Sequence, residues 1–148
     1  MLKYLFGFIL LLHALIHFRG FAKAYNFADI PQLTKFISKP IGLIWLLAAL
    51  LFVAGAVLFF LKKESWTYVI LIAVVISQIL IITDWKDAKF GTVLNLMILF
   101  ATIVSYATFH FEMRFKADVQ KHISETDFSH TDLLTEADIA LLPAPVQK

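Results

Sequence analysis

Four stretches of this chain carry no Asp, Glu, Lys or Arg: residues 4–18, 41–61, 67–83 and 92–111. They are 15 to 21 residues long and total 73, so all 24 charged residues of the 148 fall in the remaining 75. A run of about 20 apolar residues, rising 1.5 Å per residue as a helix, crosses the hydrocarbon core of a bilayer. Charge in a soluble domain is spread over the whole surface and makes up about 25% of its residues. Here the charged fraction is 16% and the mean hydropathy is +0.80. The segregation predicts an all-α integral membrane protein with four spans.

Composition removes several functions. The net charge of +2 is mild, and no Lys/Arg run resembles a nucleic-acid tract. With no Cys there is no disulfide, thiolate metal site, iron–sulfur ligation or Cys nucleophile. Fifteen Phe suit lipid-facing helices better than a small aqueous core.

Along the chain the spans are expected at about 4–22, 41–61, 67–83 and 91–111. A cleaved signal peptide competes for the first, since Ala22-Lys23-Ala24 has the small-x-small form. His13 and His17 inside the apolar run, Arg19 before the site and three later spans argue for a membrane helix instead. In the connector, Asp29 is a plausible N-cap and Pro31 falls in a first turn. They predict a short interfacial helix with Ile30, Leu33 and Phe36/Ile37 on one side and Lys35 and Lys39 toward the headgroups.

Span two has small residues at seven-residue spacing, Ala48 with Gly55 and Ala49 with Ala56, a stripe that lets a neighbour approach closely. Ala101 and Ser105 repeat the theme in span four. Trp45, Trp66 and Tyr68 read as aromatic belts. Short turns at Lys62-Lys63-Glu64 and at residues 84–89 give an up-down four-helix bundle. Domain one is residues 1–112. Residues 113–148 form an amphipathic and polar tail, with Phe111, Phe115, Val119 and Ile123 every fourth position and a short helix from Thr135 to Leu142. The tail is expected to lie along the membrane surface. Near the spans, Lys3, Lys62, Lys63, Arg114, Lys116 and Lys121 fall on the termini side and Arg19, Lys23, Lys35, Lys39, Lys86 and Lys89 on the other, so the positive-inside rule ties, and the N-terminal amine tips both termini toward the cytoplasm.

Polar groups inside a bilayer are costly, and each raises a functional question. His13 and His17 share a helix face, with His13 near the midplane and His17 roughly 6 Å toward the first connector. Gln78 and Asn95 come to similar depth from spans three and four, with Arg19 and Asp84 above as a pair at the mouth. Interhelical hydrogen bonding explains such a set at about 0.6 kcal/mol per bond. Bis-histidine haem needs ligands facing each other from different helices at matching depth, which His13, His17 and His110 do not provide. A His-x-x-x-His pair offers two zinc ligands, but Ala-Leu-Ile between them lacks a general base. A quinone or a lipid asks only for donors at half depth and an apolar slot.

With those residues in view, Leu15-Ile16-His17-Phe18-Arg19-Gly20-Phe21-Ala22-Lys23-Ala24, Asp84-Trp85-Lys86-Asp87-Ala88-Lys89-Phe90-Gly91-Thr92 and Leu142-Pro143-Ala144-Pro145-Val146-Gln147-Lys148 resemble the front part of uncharacterised Bacteroidetes-type membrane proteins. There a four-helix, DoxX-like membrane part precedes a larger soluble domain that starts at a Leu-Pro-x-Pro-Val-Gln segment. The resemblance implies a truncated relative, a fragment, or a version whose soluble part is a separate chain. It implies a bacterial inner-membrane location and an association with redox or quinone-linked systems by analogy only. The function expected is an accessory or small subunit that binds a membrane or soluble partner, with no catalysis of its own and no obligatory cofactor. The alternative is a quinone or lipid site at His13, His17, Arg19, Gln78, Asp84 and Asn95. The two differ in one feature: a scaffold needs these residues bonded to each other, whereas a site needs a cavity beside them.

Overall fold

A computed structural model describes residues 2–125 and Ala140, all helix, turn or connector, with no strand among them. The Thr135–Leu142 helix and the Leu142–Lys148 segment lie outside the described residues. The chain divides into two compact units, Met1–His110 and Phe111–Lys148. Five helices follow in order: α1 Leu2–Ala24, α2 Lys39–Phe60, α3 Trp66–Thr83, α4 Trp85–Ala88 and α5 Gly91–Glu125. Of these, α1, α2, α3 and α5 are long and apolar enough to cross a membrane.

Helix ends follow from local chemistry. After α1, the Asn26 amide bonds Lys23 O and the Phe27 amide bonds Ala22 O, with Asn26 left-handed at φ 57°. This is a Schellman ending, and Phe27 folds back so that its ring lies 5.7 Å from Phe21. Helix α2 starts with Pro40 in its first turn, where no amide is required, and ends in the same motif. There the Lys62 and Lys63 amides bond Phe59 O and Leu58 O, and Lys62 takes φ 56°. Gly usually occupies that position, because an L side chain there costs roughly 1 kcal/mol. The Thr67 hydroxyl steadies the start of α3 by donating to Glu64 O.

Contacts between α1 and α2 run in opposite numerical order: Phe6 on Phe59 at 5.2 Å, His13 on Phe52 at 4.7 Å and His17 on Trp45 at 5.0 Å. The two helices are antiparallel neighbours. The expected small-residue stripe is buried, with Ala48, Ala49, Gly55 and Ala56 all inside. Missing Cβ atoms permit the close approach. A Cβ on Gly55 would sit 2.3 Å from Ile70 Cδ1, and one on Gly20 would sit 2.2 Å from the Trp45 ring. Trp45 is therefore not an interfacial belt residue: it is 2% exposed, between α1 and α2. The Ala101/Ser105 pair is only half-buried and lines cavities instead of meeting a helix. Outer faces carry Phe8, Leu15, Leu50, Ile79 and Phe100 exposed, as lipid-facing surfaces do.

No helix forms over residues 30–37. Leu33 closes a turn on Ile30 O, and the chain then runs on without helix to Ser38. The reason is competition for donors. The Thr34 and Lys35 amides, which a helix would spend on carbonyls four residues back, both bond the Asp87 carboxylate. Ile30 and Ile37 are buried as expected, but Phe36 is fully exposed.

In the second unit α5 continues to Glu125, with Phe111 and Phe115 stacked at 6.5 Å and a Lys121–Glu125 ion pair at 3.9 Å.

Candidate functional site

Three helices direct polar side chains into one buried cluster. His13 and His17 come from α1, one turn apart, and their rings meet edge-on at 4.8 Å. Helix α3 contributes Ser77 and Gln78, and α5 contributes Thr92 and Asn95. His13, His17, Ser77 and Asn95 are each at most 2% exposed. Asn95 Oδ1 lies 2.8 Å from His13 Nε2 and accepts the Ser77 hydroxyl at 3.0 Å. Ser77 Oγ lies 2.7 Å from His17 Nε2 and 3.2 Å from His13 Nε2. Asn95 Nδ2 donates to Gln78 Oε1 at 3.0 Å, and Gln78 Nε2 donates to Thr92 Oγ1 at 3.2 Å.

This connectivity sets the tautomers. With the Asn95 oxygen on His13, Nε2 of His13 must carry the proton. Ser77 spends its own proton on Asn95, so Nε2 of His17 must donate to Ser77. Reversing both amides, of Asn95 and Gln78, reverses every donor and acceptor and moves both imidazole protons to Nδ1. In either arrangement Nδ1 of His13 and Nδ1 of His17 are buried with no protein partner, and so is the Trp45 Nε1–H. A buried polar atom without a partner costs about 1–3 kcal/mol. The three residues that carry them, His13, His17 and Trp45, line one space.

That space is a cavity of about 210 Å³ walled by His13, His17 and Trp45 below and by Arg19, Gln32 and Asp87 above. Ile81 and Leu94 supply apolar wall. A cavity of about 150 Å³ lined by apolar side chains holds benzene. The space here thus takes one substituted ring or a few waters.

The mouth is built differently from the expected Arg19–Asp84 pair. Arg19 Nη2 donates to Gln32 Oε1 at 2.7 Å, and Asp84 faces Lys35 Nζ at 3.5 Å. Lys35 also donates to Thr83 O at 2.8 Å. The non-helical connector supplies both partners, so Arg19 and Asp84 meet it instead of each other. Asp87 clamps the same connector, accepting from the Thr34 hydroxyl at 3.0 Å as well as from the two amides. Desolvation alone would raise the Asp87 carboxyl, but the Thr34 and Lys35 hydrogen bonds and nearby Lys86 outweigh it and hold the group below its ordinary value.

His13, His17, Gln78 and Asn95 are therefore brought together, Arg19 lines the cavity apart from them, and Asp84 lies outside its wall. Ser77, which joins both histidines, carries no signal in the sequence beyond being a small polar residue next to Gln78 in an apolar span. Thr92, Phe52 and Trp45 carried no signal that separated them from ordinary span residues. Among the described residues no three His, Asp or Glu side chains gather as a metal would require. No protein-family profile, curated protein or solved structure matches this chain.

Proposed function

We propose that this protein is a multi-pass inner-membrane protein, DoxX-like in its up-down four-helix arrangement and with cytoplasmic termini, that holds a small ring-bearing ligand with a hydroxyl or carbonyl oxygen. The quinol/quinone class fits this description. The observation that carries the reading is that His13, His17 and Trp45, each with a buried ring nitrogen lacking a protein partner, all line one cavity of about 210 Å³. A phenolic hydroxyl donates to Nδ1 in the tautomer that Asn95 dictates, while its oxygen accepts from the Trp45 N–H. A carbonyl suits the reversed tautomer, in which Nδ1–H donates. Reversing the Asn95 and Gln78 amides together, with each imidazole proton moved from Nε2 to Nδ1, interconverts a quinol-accepting and a quinone-accepting site without moving a helix. Such a ligand points to service for a redox partner.

The accessory-subunit reading draws support from the same residues, since each histidine spends Nε2 on tying α1 to α3 and α5. The test is to purify the chain in mild detergent, extract what it carries and add back a short-chain quinol while following thermal unfolding. Stoichiometric quinol or quinone, with a rise in Tm abolished by His17→Phe and Trp45→Phe, is the expected result. No bound ring compound and no shift, with a defined protein complex recovered instead, would leave the histidines as helix fasteners.

A further inference from the structure

The end of the bundle opposite the histidine cavity carries a second constellation. Ten residues before His13 on α1, about 15 Å away along the helix axis, Lys3 joins Lys62 and Lys63 around a cavity of about 470 Å³. Among the described residues, Glu64 is the one carboxylate in that wall. Trp66, Tyr68 and Tyr106 line the same space, and the Tyr68 and Tyr106 rings meet edge-on at 5.9 Å.

This cavity does not stop at the polar end. Lys3, Phe59, Trp66 and Ser105 are also walls of a second, apolar space of about 350 Å³. That space runs down between α1 and α5, between Leu5, Phe6 and Ile9 on one side and Met97, Ile98 and Ala101 on the other. It exists because Ala101 and Ser105 are small and no helix packs over them. A basic, aromatic-rimmed pocket thus adjoins an apolar crevice, the two sharing Lys3, Phe59, Trp66 and Ser105 as walls.

We infer that this is a binding site for an anionic phospholipid, with its phosphate on Lys3, Lys62 and Lys63 and one acyl chain in the α1–α5 crevice. Three ammonium groups against one carboxylate select a net anionic headgroup, and basic pockets between membrane helices hold such lipids. A zwitterionic lipid would fill the crevice equally well but would leave the excess positive charge unmatched.

The test uses the full-length chain in detergent, exchanged with dioleoylphosphatidylglycerol or dioleoylphosphatidylcholine, with retained lipid counted by native mass spectrometry. One phosphatidylglycerol should be retained in preference to phosphatidylcholine, and high salt should weaken the preference. Lys3→Gln/Lys62→Gln/Lys63→Gln should reduce retention by roughly fivefold per lysine. Ala101→Phe, which fills the crevice and keeps the lysines, should reduce it as well. Lys23→Gln/Lys39→Gln/Lys86→Gln removes the same charge elsewhere and should leave retention unchanged. Normal retention in the first triple variant or in Ala101→Phe, or equal loss in the control triple, would overturn the assignment.

Discussion

Asn95 accepts from two side chains and donates to a third, so its removal strands more than its own groups. In Asn95→Leu the His13 Nε2–H, the Ser77 hydroxyl and Gln78 Oε1 all lose a buried partner. An interhelical bond in a membrane averages about 0.6 kcal/mol, but orphaned buried groups raise the cost. The expected destabilisation is about 2 kcal/mol, measured by reversible unfolding in mixed micelles, against under about 1 kcal/mol for Gln78→Leu. Equal costs for the two would show that the network has no centre. At the rim, Asp87 has its carboxyl held below its ordinary value by Thr34 and Lys35. A depressed carboxylate stabilises the fold above its unfolded pKa, and that contribution is lost as pH falls through the folded value. Protection of the Thr34 and Lys35 amides from hydrogen exchange should therefore hold near neutrality and collapse only below about pH 4. In Asp87→Asn it should be weak at every pH, and identical pH curves for the two proteins would remove the clamp from the account.

Helix α1 shows what a span discloses before it is folded. Depth is counted at 1.5 Å per residue, and that count brought His13, His17, Gln78 and Asn95 to one level. Azimuth is a different matter in lipid, because both faces of a span are apolar and periodicity fades. Trp45 could be placed near an end of α2 but not turned inward, and Ser77 could not be told from its neighbour Gln78. The connector misled for another reason. Its Asp29 and Pro31 signals are those of a helix start, and only a carboxylate from Asp87, over 50 positions away, diverts the amides. The α1–α2 interface rests on Gly20, whose absent Cβ leaves room for the rigid Trp45 ring. Gly20→Ala should cost about 1–3 kcal/mol through overpacking. It should also shift Trp45 emission in a Trp66→Phe/Trp85→Phe background as the indole is pushed from His17. Unchanged emission would mean that α1 slides and the ring stays.

At the scale of the whole membrane unit, glycine contacts join α1 to α2 and α2 to α3, whereas α5 has one, at its first residue Gly91 against Ile81. Only Asn95, Ile98 and Thr102 of α5 are buried, a single stripe, although the helix walls both inferred sites. Gly91 and Leu94 border the histidine cavity, and Met97, Ile98 and Ala101 border the lipid crevice. With so little apolar area holding it, α5 is expected to separate from α1 and α3 first, and the Asn95 hydrogen bonds are expected to resist that separation. The chain has no Cys, so a Tyr68→Cys/Tyr106→Cys pair is unique, and its parent rings lie 5.9 Å apart. Cross-linking of that pair with a flexible bis-maleimide, which needs no disulfide geometry, should fall several-fold when Asn95→Leu removes the network and recover in part when anionic lipid fills the crevice. Cross-linking indifferent to Asn95→Leu would show that Ile98, Thr102 and the surrounding bilayer hold α5 in place without the network.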